Sequence, residues 1–253
     1  MNAEPPRRAI WLVGIGTGSP AHLTLEGQAA LREAAAVLLP RKGDRKEDLA
    51  EIRERILRDA QSPAERLYFD YPERDGSLDY QDRVAQWHDE IARRWERALA
   101  DAPEGPVALL VWGDPSLYDS TMRIAARIDP RPEIRVVPGI TALQALTAAH
   151  SIPLNEVGGS VEITTGRNLA EGWPSAADTV AVMLDGECRF AELEEPELYI
   201  WWGAYLGMDE EILHAGALPE AAEEIVAKRQ AARARHGWLM DTYLLKKTGR
   251  TER

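Results

Sequence analysis

Short apolar runs alternate with amphipathic stretches through the first half of the chain. Ile10 to Ile15 is an apolar run that stops among Gly14, Gly16 and Gly18, the pattern of a buried parallel strand entering a tight loop. A helix is expected next. Leu25 to Val37 is rich in Ala, Leu, Gln and Glu, has Thr24 as its N-cap, and leads into the apolar stretch Ala36 to Leu39 before Pro40. Leu49, Ile52, Ile56 and Leu57 recur at helical spacing among charges, and Val84, Trp87, Ile91, Trp95 and Leu99 do so over a longer stretch. Both predict surface helices with one buried stripe, so the tryptophans read as core packing and His88, beside Trp87, as solvated. Val107 to Trp112 and Ile134 to Val137 are further strand-like runs flanking a helical segment, Thr121 to Ile128. Strands alternating with helices in this way predict a doubly wound parallel α/β sheet.

The texture changes after Pro138 and Gly139. A helix over Thr141 to Ala149 precedes β-rich runs at Val161 to Thr165, Thr179 to Leu184, Tyr199 to Tyr205 and Trp238 to Leu245, with a helix from Glu220 to Arg235 between the last two. We expect two α/β domains: 1–138 with the parallel sheet, and 139–253 with a mixed sheet.

Composition narrows the function classes. The chain has 253 residues, 45% hydrophobic and 28% charged, enough for a sizeable core. Its formal net charge of -12 disfavours a surface built to hold nucleic acid by bulk electrostatics. One cysteine, Cys188, allows no internal disulfide, which fits a reducing compartment. No apolar run approaches the ~20 residues of a membrane span, and the run after Arg7 and Arg8 lacks a small-residue cleavage site and reads as a first strand. We expect a cytoplasmic protein that acts without membrane or nucleic acid.

The glycine loop is G-x-G-x-G followed by Ser-Pro, whereas a dinucleotide fingerprint needs G-x-G-x-x-G and an acidic residue closing the next strand, which here ends Leu-Leu-Pro. No Gly-Lys-Ser/Thr supports a phosphate loop, and neither H-E-x-x-H nor paired cysteines suggest a metal. Instead, three loops each follow a strand: 14–19; Trp112-Gly113-Asp114-Pro115-Ser116-Leu117-Tyr118; and Pro138-Gly139-Ile140-Thr141-Ala142. Open α/β sheets place their ligands at such strand ends.

Together these loops resemble the tetrapyrrole methylase family of S-adenosylmethionine-dependent methyltransferases, in order over roughly Ile10 to Leu245. The resemblance implies two α/β domains with S-adenosylmethionine in the cleft between them and S-adenosylhomocysteine as product. It places cofactor contacts at Gly16, Thr17, Trp112, Gly113, Asp114, Leu117, Tyr118, Thr141 and Ala142. Ala-Val-Met-Leu-Asp, 181–185, is similar to the family's later methionine loop and adds Met183; Gly207 and the stretch around Ala215 resemble its last cofactor segment. The run 112–121, Ile163 to Arg167 and Met183 to Gly186 resemble members that methylate a corrin precursor of cobalamin biosynthesis at ring carbon 1 and release the neighbouring acetyl group as acetic acid. Sister members methylate without that release, and a non-catalytic protein that only binds the S-adenosyl ligand is a third reading. Thr17 and Ser19 stand where many members have Pro and Asp, and Tyr118-Asp119 stands where a small residue is common.

The implied substrate is an anionic tetrapyrrole, so an acidic protein needs a locally basic surface. Arg41 and Lys42, with Arg45 and Lys46, form the densest basic cluster, and Arg167 is a second candidate, a solvated polar loop being the alternative for both. Methyl transfer needs positioning rather than a covalent nucleophile. Acetyl loss calls for a general base; Asp119 and His150 are the titratable groups nearest the loops in sequence, and neither is assigned. The resemblance also implies a homodimer, with Tyr199 to Tyr205 as a candidate surface, although Trp201 and Trp202 read first as core.

Overall fold

The computed structural model describes residues 8–41, 47–73, 79–194 and 197–247. The chain divides into two compact units, Met1–Thr141 and Ala142–Arg253. In the first, β1 (Ala9–Gly14), β2 (Ala36–Pro40), β3 (Glu65–Phe69), β4 (Val107–Val111) and β5 (Glu133–Val137) pair in parallel throughout, in the order β3-β2-β4-β1-β5. Its helices are α1 (Leu25–Glu33), α2 (Glu47–Asp59), α3 (Tyr80–Ala100) and α4 (Thr121–Ala125).

Alternate strand residues feed two separate cores. Ile10, Leu12, Leu38 and Leu109 pack with Ile91, Trp95 and Leu99 of α3 and Ile124 of α4. Val13, Val37, Leu39 and Leu110 pack with Ala30 and Leu31 of α1 and Ile56 and Leu57 of α2. Covering on both faces is why these strands read as unbroken apolar runs. It also bears on where a ligand can sit: β1 and β4 are neighbours, yet α1 packs on one face and α4 on the other, so beyond their strand ends the two chain segments run to opposite faces.

Thr24 caps α1 as expected, its hydroxyl accepting from Gly27 N–H at 3.0 Å. That helix stops at Glu33 rather than Val37, because Ala34 is already extended and Ala36 belongs to β2. α4 ends at Ala125, before Ile128, in a turn that buries both residues. His88 corrects the reading made from sequence: it is 4% exposed, within α3, not solvated. β3 was not read from the sequence; it is an edge strand that opens on the charged pair Glu65-Arg66.

The second unit contains α5 (Ala142–His150), β6 (Val161–Thr165), α6 (Gly166–Leu169), β7 (Thr179–Met183), β8 (Leu198–Ala204), β9 (Ile212–Ala217), α7 (Leu218–His236) and β10 (Asp241–Lys247). The sheet order is β6-β7-β10-β8-β9, with β6 and β7 parallel and the other pairs antiparallel, the mixed sheet expected. β9 is the second strand missed, an edge strand whose closing Ala-Gly-Ala carries weak strand preference. α7 ends on Gly237, left-handed at φ 73°, as a helix-terminating glycine should be. Trp202 is fully buried as expected, while Trp201 is half-buried beneath the Lys246 ammonium, 5.5 Å from its ring.

A buried ionic network crosses this core. Arg229 on α7 pairs with Asp241 at 2.7 Å and also donates to the Asp185 carbonyl and the Cys188 thiol. Trp202 donates to Asp241 at 2.8 Å, and the Tyr243 hydroxyl to Asp185 at 2.7 Å. Burial drives the Asp241 carboxyl upward against the pull of Arg229, and it raises the Tyr243 phenol further beside Asp185. No helix among the described residues is long and apolar enough to cross a membrane. Arg229→Ala should cost about 3–5 kcal/mol in urea unfolding, because it strands a buried carboxylate. Arg229→Met/Asp241→Leu, which removes both charges, should lose clearly less than the single change.

Candidate active site

At the carboxyl edge of the parallel sheet three backbones close on one another. Gly16 and Gly113 form an antiparallel bridge, with Gly113 N–H donating to Gly16 O at 2.7 Å and Gly16 N–H to Gly113 O at 3.3 Å. A Cβ on Gly14 would lie 2.6 Å from Gly139 N, and one on Gly139 2.2 Å from Gly113 O. Only glycines permit this approach, and Gly16 and Gly113 also hold left-handed φ of 72° and 64°.

Asp114, 9% exposed, fastens two of the loops. One oxygen accepts from Gly139 N–H at 2.9 Å; the other accepts from Ser116 N–H at 2.8 Å and from the Ser116 hydroxyl. Burial opposes its ionisation, but these hydrogen bonds outweigh burial and hold the carboxyl below its ordinary value. Thr17 is buried, its hydroxyl 2.9 Å from His22 Nδ1. Trp112, Gly113 and Leu117 are half-buried, and Tyr118 is 42% exposed with a left-handed φ of 49°. Partly open apolar walls beside backbone polar groups suit a nucleoside. Thr141 lies just before α5, and Ala142 is its first residue.

The flank of this edge is aromatic and basic. The Arg53 guanidinium of α2 lies 5.1 Å over the Trp112 ring, and its Nη1 donates to Leu49 O at 3.2 Å. Tyr71, just past β3, is half-exposed and stacks on Trp87 with ring centroids 5.8 Å apart. Desolvation raises the Tyr71 phenol; Arg53 opposes this and Asp119 adds to it. Arg41 follows β2 on the same edge, exposed, with its Nε 3.6 Å from Asp70. Lys42, Arg45 and Lys46 lie outside the described residues.

In the second unit the register puts Thr165 opposite Met183, Met183 opposite Thr242, and Asp241 opposite Ala204. One sheet edge therefore carries Met183, the exposed Arg167 just after β6, and the β8–β9 turn with Gly207. Ala215 is set apart, mid-strand in β9 opposite Trp201. The expected strand stops at Met183 because Leu184 turns left-handed at φ 55°, 68% exposed. The buried Asp185 holds the turn, accepting from Glu187 N–H at 3.0 Å and Arg189 N–H at 2.7 Å. A Cβ on Gly166 would lie 2.5 Å from Asp185 Cγ, so this glycine makes room for the carboxylate.

A family model, Tetrapyrrole (Corrin/Porphyrin) Methylases, matches residues 9–222. The chain belongs to this family. Over 97% of both chains it is 46% identical to the deacetylating precorrin-6A synthase of a Sinorhizobium species. A Corynebacterium diphtheriae protein described as cobalamin synthesis related (CobF) superposes with a TM-score of 0.83 at 37% identity, covering 96% of this chain and 99% of that one. Uroporphyrin-III C-methyl transferase of Thermus thermophilus, complexed with S-adenyl homocysteine, shares the fold at 22% identity, with a TM-score of 0.61 over 95% of this chain and 98% of that one.

The two residues weighed as a general base have other partners. Asp119 accepts from Thr121 N–H at 2.6 Å at the start of α4, and His150 Nε2 lies 3.0 Å from Trp202 O. Arg53 was missed, although its signal was present: 49, 52, 53, 56 and 57 follow the i, i+3, i+4, i+7, i+8 stripe, and Arg53 occupies an apolar place in it. Because Asp114 titrates below its ordinary 3.8, its contribution is complete above that pH and disappears as pH falls through the lower folded value. The stability difference between wild type and Asp114→Asn should therefore stay near ~1–3 kcal/mol from neutrality to mildly acidic pH. It should shrink only in strongly acidic buffer, as chemical denaturation at stepped pH will read.

Proposed function

We propose that this protein is an S-adenosylmethionine-dependent C-methyltransferase of cobalamin biosynthesis that methylates carbon 1 of precorrin-5 and releases acetate, giving precorrin-6A. The observation that carries the reading is the 46% identity to a deacetylating precorrin-6A synthase over 97% of both chains. The glycine-closed loops and the clamped Asp114 agree with it. Bound S-adenosylmethionine supplies an electrophilic sulfonium methyl group. The protein's part is to hold partners close and aligned, which needs no covalent nucleophile.

In the first unit, Gly16, Thr17, Trp112, Gly113, Leu117 and Tyr118 form the cofactor-binding walls, with Thr141 beyond Gly139; Ala142, the next residue, opens the second unit. Asp114 keeps the Gly113 turn in place through Ser116 and Gly139. In the second unit, Met183, Gly207 and Ala215 are the cofactor-binding residues, and Arg167 offers a cation to substrate carboxylates. Arg41 does the same at the first unit's edge, and Lys42, next in the sequence, is a further candidate. The protein works in the cytoplasm on a free small molecule, without nucleic acid or membrane, and pairs as a homodimer.

Titration calorimetry with S-adenosylhomocysteine should give micromolar or tighter binding, ~8 kcal/mol or more, weakened at least about tenfold by Asp114→Ala and by Met183→Ala. Incubation with precorrin-5 and S-adenosylmethionine should release one acetate per methyl transferred. Methylation without acetate would assign a sister precorrin methyltransferase instead; ligand binding with no transfer would leave a non-catalytic binding protein.

A further inference from the structure

We infer that Arg53 binds a carboxylate side chain of the tetrapyrrole substrate, an inference that rests on the methyltransferase reading above. Arg53 belongs to the buried stripe of α2, between Leu49, 9% exposed, and Ile56, fully buried. Its guanidinium lies over Trp112, the residue that leads into the Gly113–Asp114 turn, so the cation stands beside the carboxyl-end crevice rather than out in solvent. Among the described residues the Leu49 carbonyl is its one hydrogen-bond acceptor, and no carboxylate pairs with it. Its Nε is buried without any partner.

A charge held this way is costly unless something completes it. Burial pulls the Arg53 guanidinium below its ordinary value, as expected where no anion compensates it. Its place over Trp112 and its bond to Leu49 O hold the side chain, which lowers the ordering cost of binding a planar carboxylate through N–H donors. Beside it, half-buried Trp112 and half-exposed Tyr71 offer aromatic surface suited to a flat macrocycle. Arg41, the cation that the sequence brought forward on this edge, differs on each count: it is exposed, and Asp70 lies 3.6 Å away.

The test uses the full-length protein and a stable octacarboxylate tetrapyrrole, uroporphyrin III, beside its methyl ester, with S-adenosylhomocysteine binding measured in parallel. Wild type should bind the free acid about tenfold or more tightly than the ester, and Arg53→Gln should lose about that factor for the free acid alone. Arg53→Lys, keeping charge but not the fork, should recover part of it, and all three proteins should retain S-adenosylhomocysteine binding. In wild type labelled with nitrogen-15, the Arg53 Nε–H resonance should shift with the free acid and not with the ester, a readout that stands even if Arg53→Gln fails to fold. Unchanged free-acid affinity in Arg53→Gln with intact S-adenosylhomocysteine binding, equal wild-type affinity for acid and ester, or an unmoved Nε–H resonance would overturn the Arg53 assignment and leave the methyltransferase reading standing. Folded wild type that binds neither S-adenosylhomocysteine nor the tetrapyrrole overturns both.

Discussion

Where β1, β4 and β5 end, the backbone is packed so closely that no side chain fits: a Cβ on Gly139 would meet Gly113 O at 2.2 Å. The rest of the candidate site in the first unit depends on this contact. It brings the loops of neighbouring parallel strands together while α1 and α4 draw them to opposite faces, so a crevice opens at the carboxyl ends. Asp114 then fixes the result, spending a buried carboxylate on main-chain N–H groups of two loops. A carboxylate committed in this way is a poor proton carrier, which suits a reaction whose main demand is alignment.

The second unit solves a similar problem with buried charge. The turn after β7 must reverse abruptly past Met183, and it does so through a left-handed Leu184. For a leucine that conformation is unfavourable and persists only where the surroundings impose it. Asp185 imposes it, held by two N–H groups, the Tyr243 hydroxyl and the room left by Gly166, while Arg229 grips the carbonyl of the same residue. The network that supports this core therefore also shapes the loop that follows Met183.

Charge is distributed against the average. The chain carries a formal -12, yet an arginine stands beside the first crevice with no acidic partner among the described residues. An acidic surface around a local cation favours an anionic ligand only where that cation is reached, which is a means of selection rather than of general attraction.

The sequence by itself determined the two α/β halves, the parallel and mixed sheets, the Thr24 cap and the glycine turns at the strand ends, because each is written in local periods and in glycines. It did not reveal β3 or β9, whose edge positions release them from the apolar pattern that marks a central strand. It misplaced His88, although a position four after Val84 and three before Ile91 lies on the buried stripe, because its polarity outweighed its place in the period. Only the tertiary structure decided that Asp114 reaches Gly139, that His150 meets Trp202 O, and that Arg53 lies over Trp112. Those contacts join residues far apart in the chain, and their geometry comes from strand order and helix packing, which no local pattern encodes.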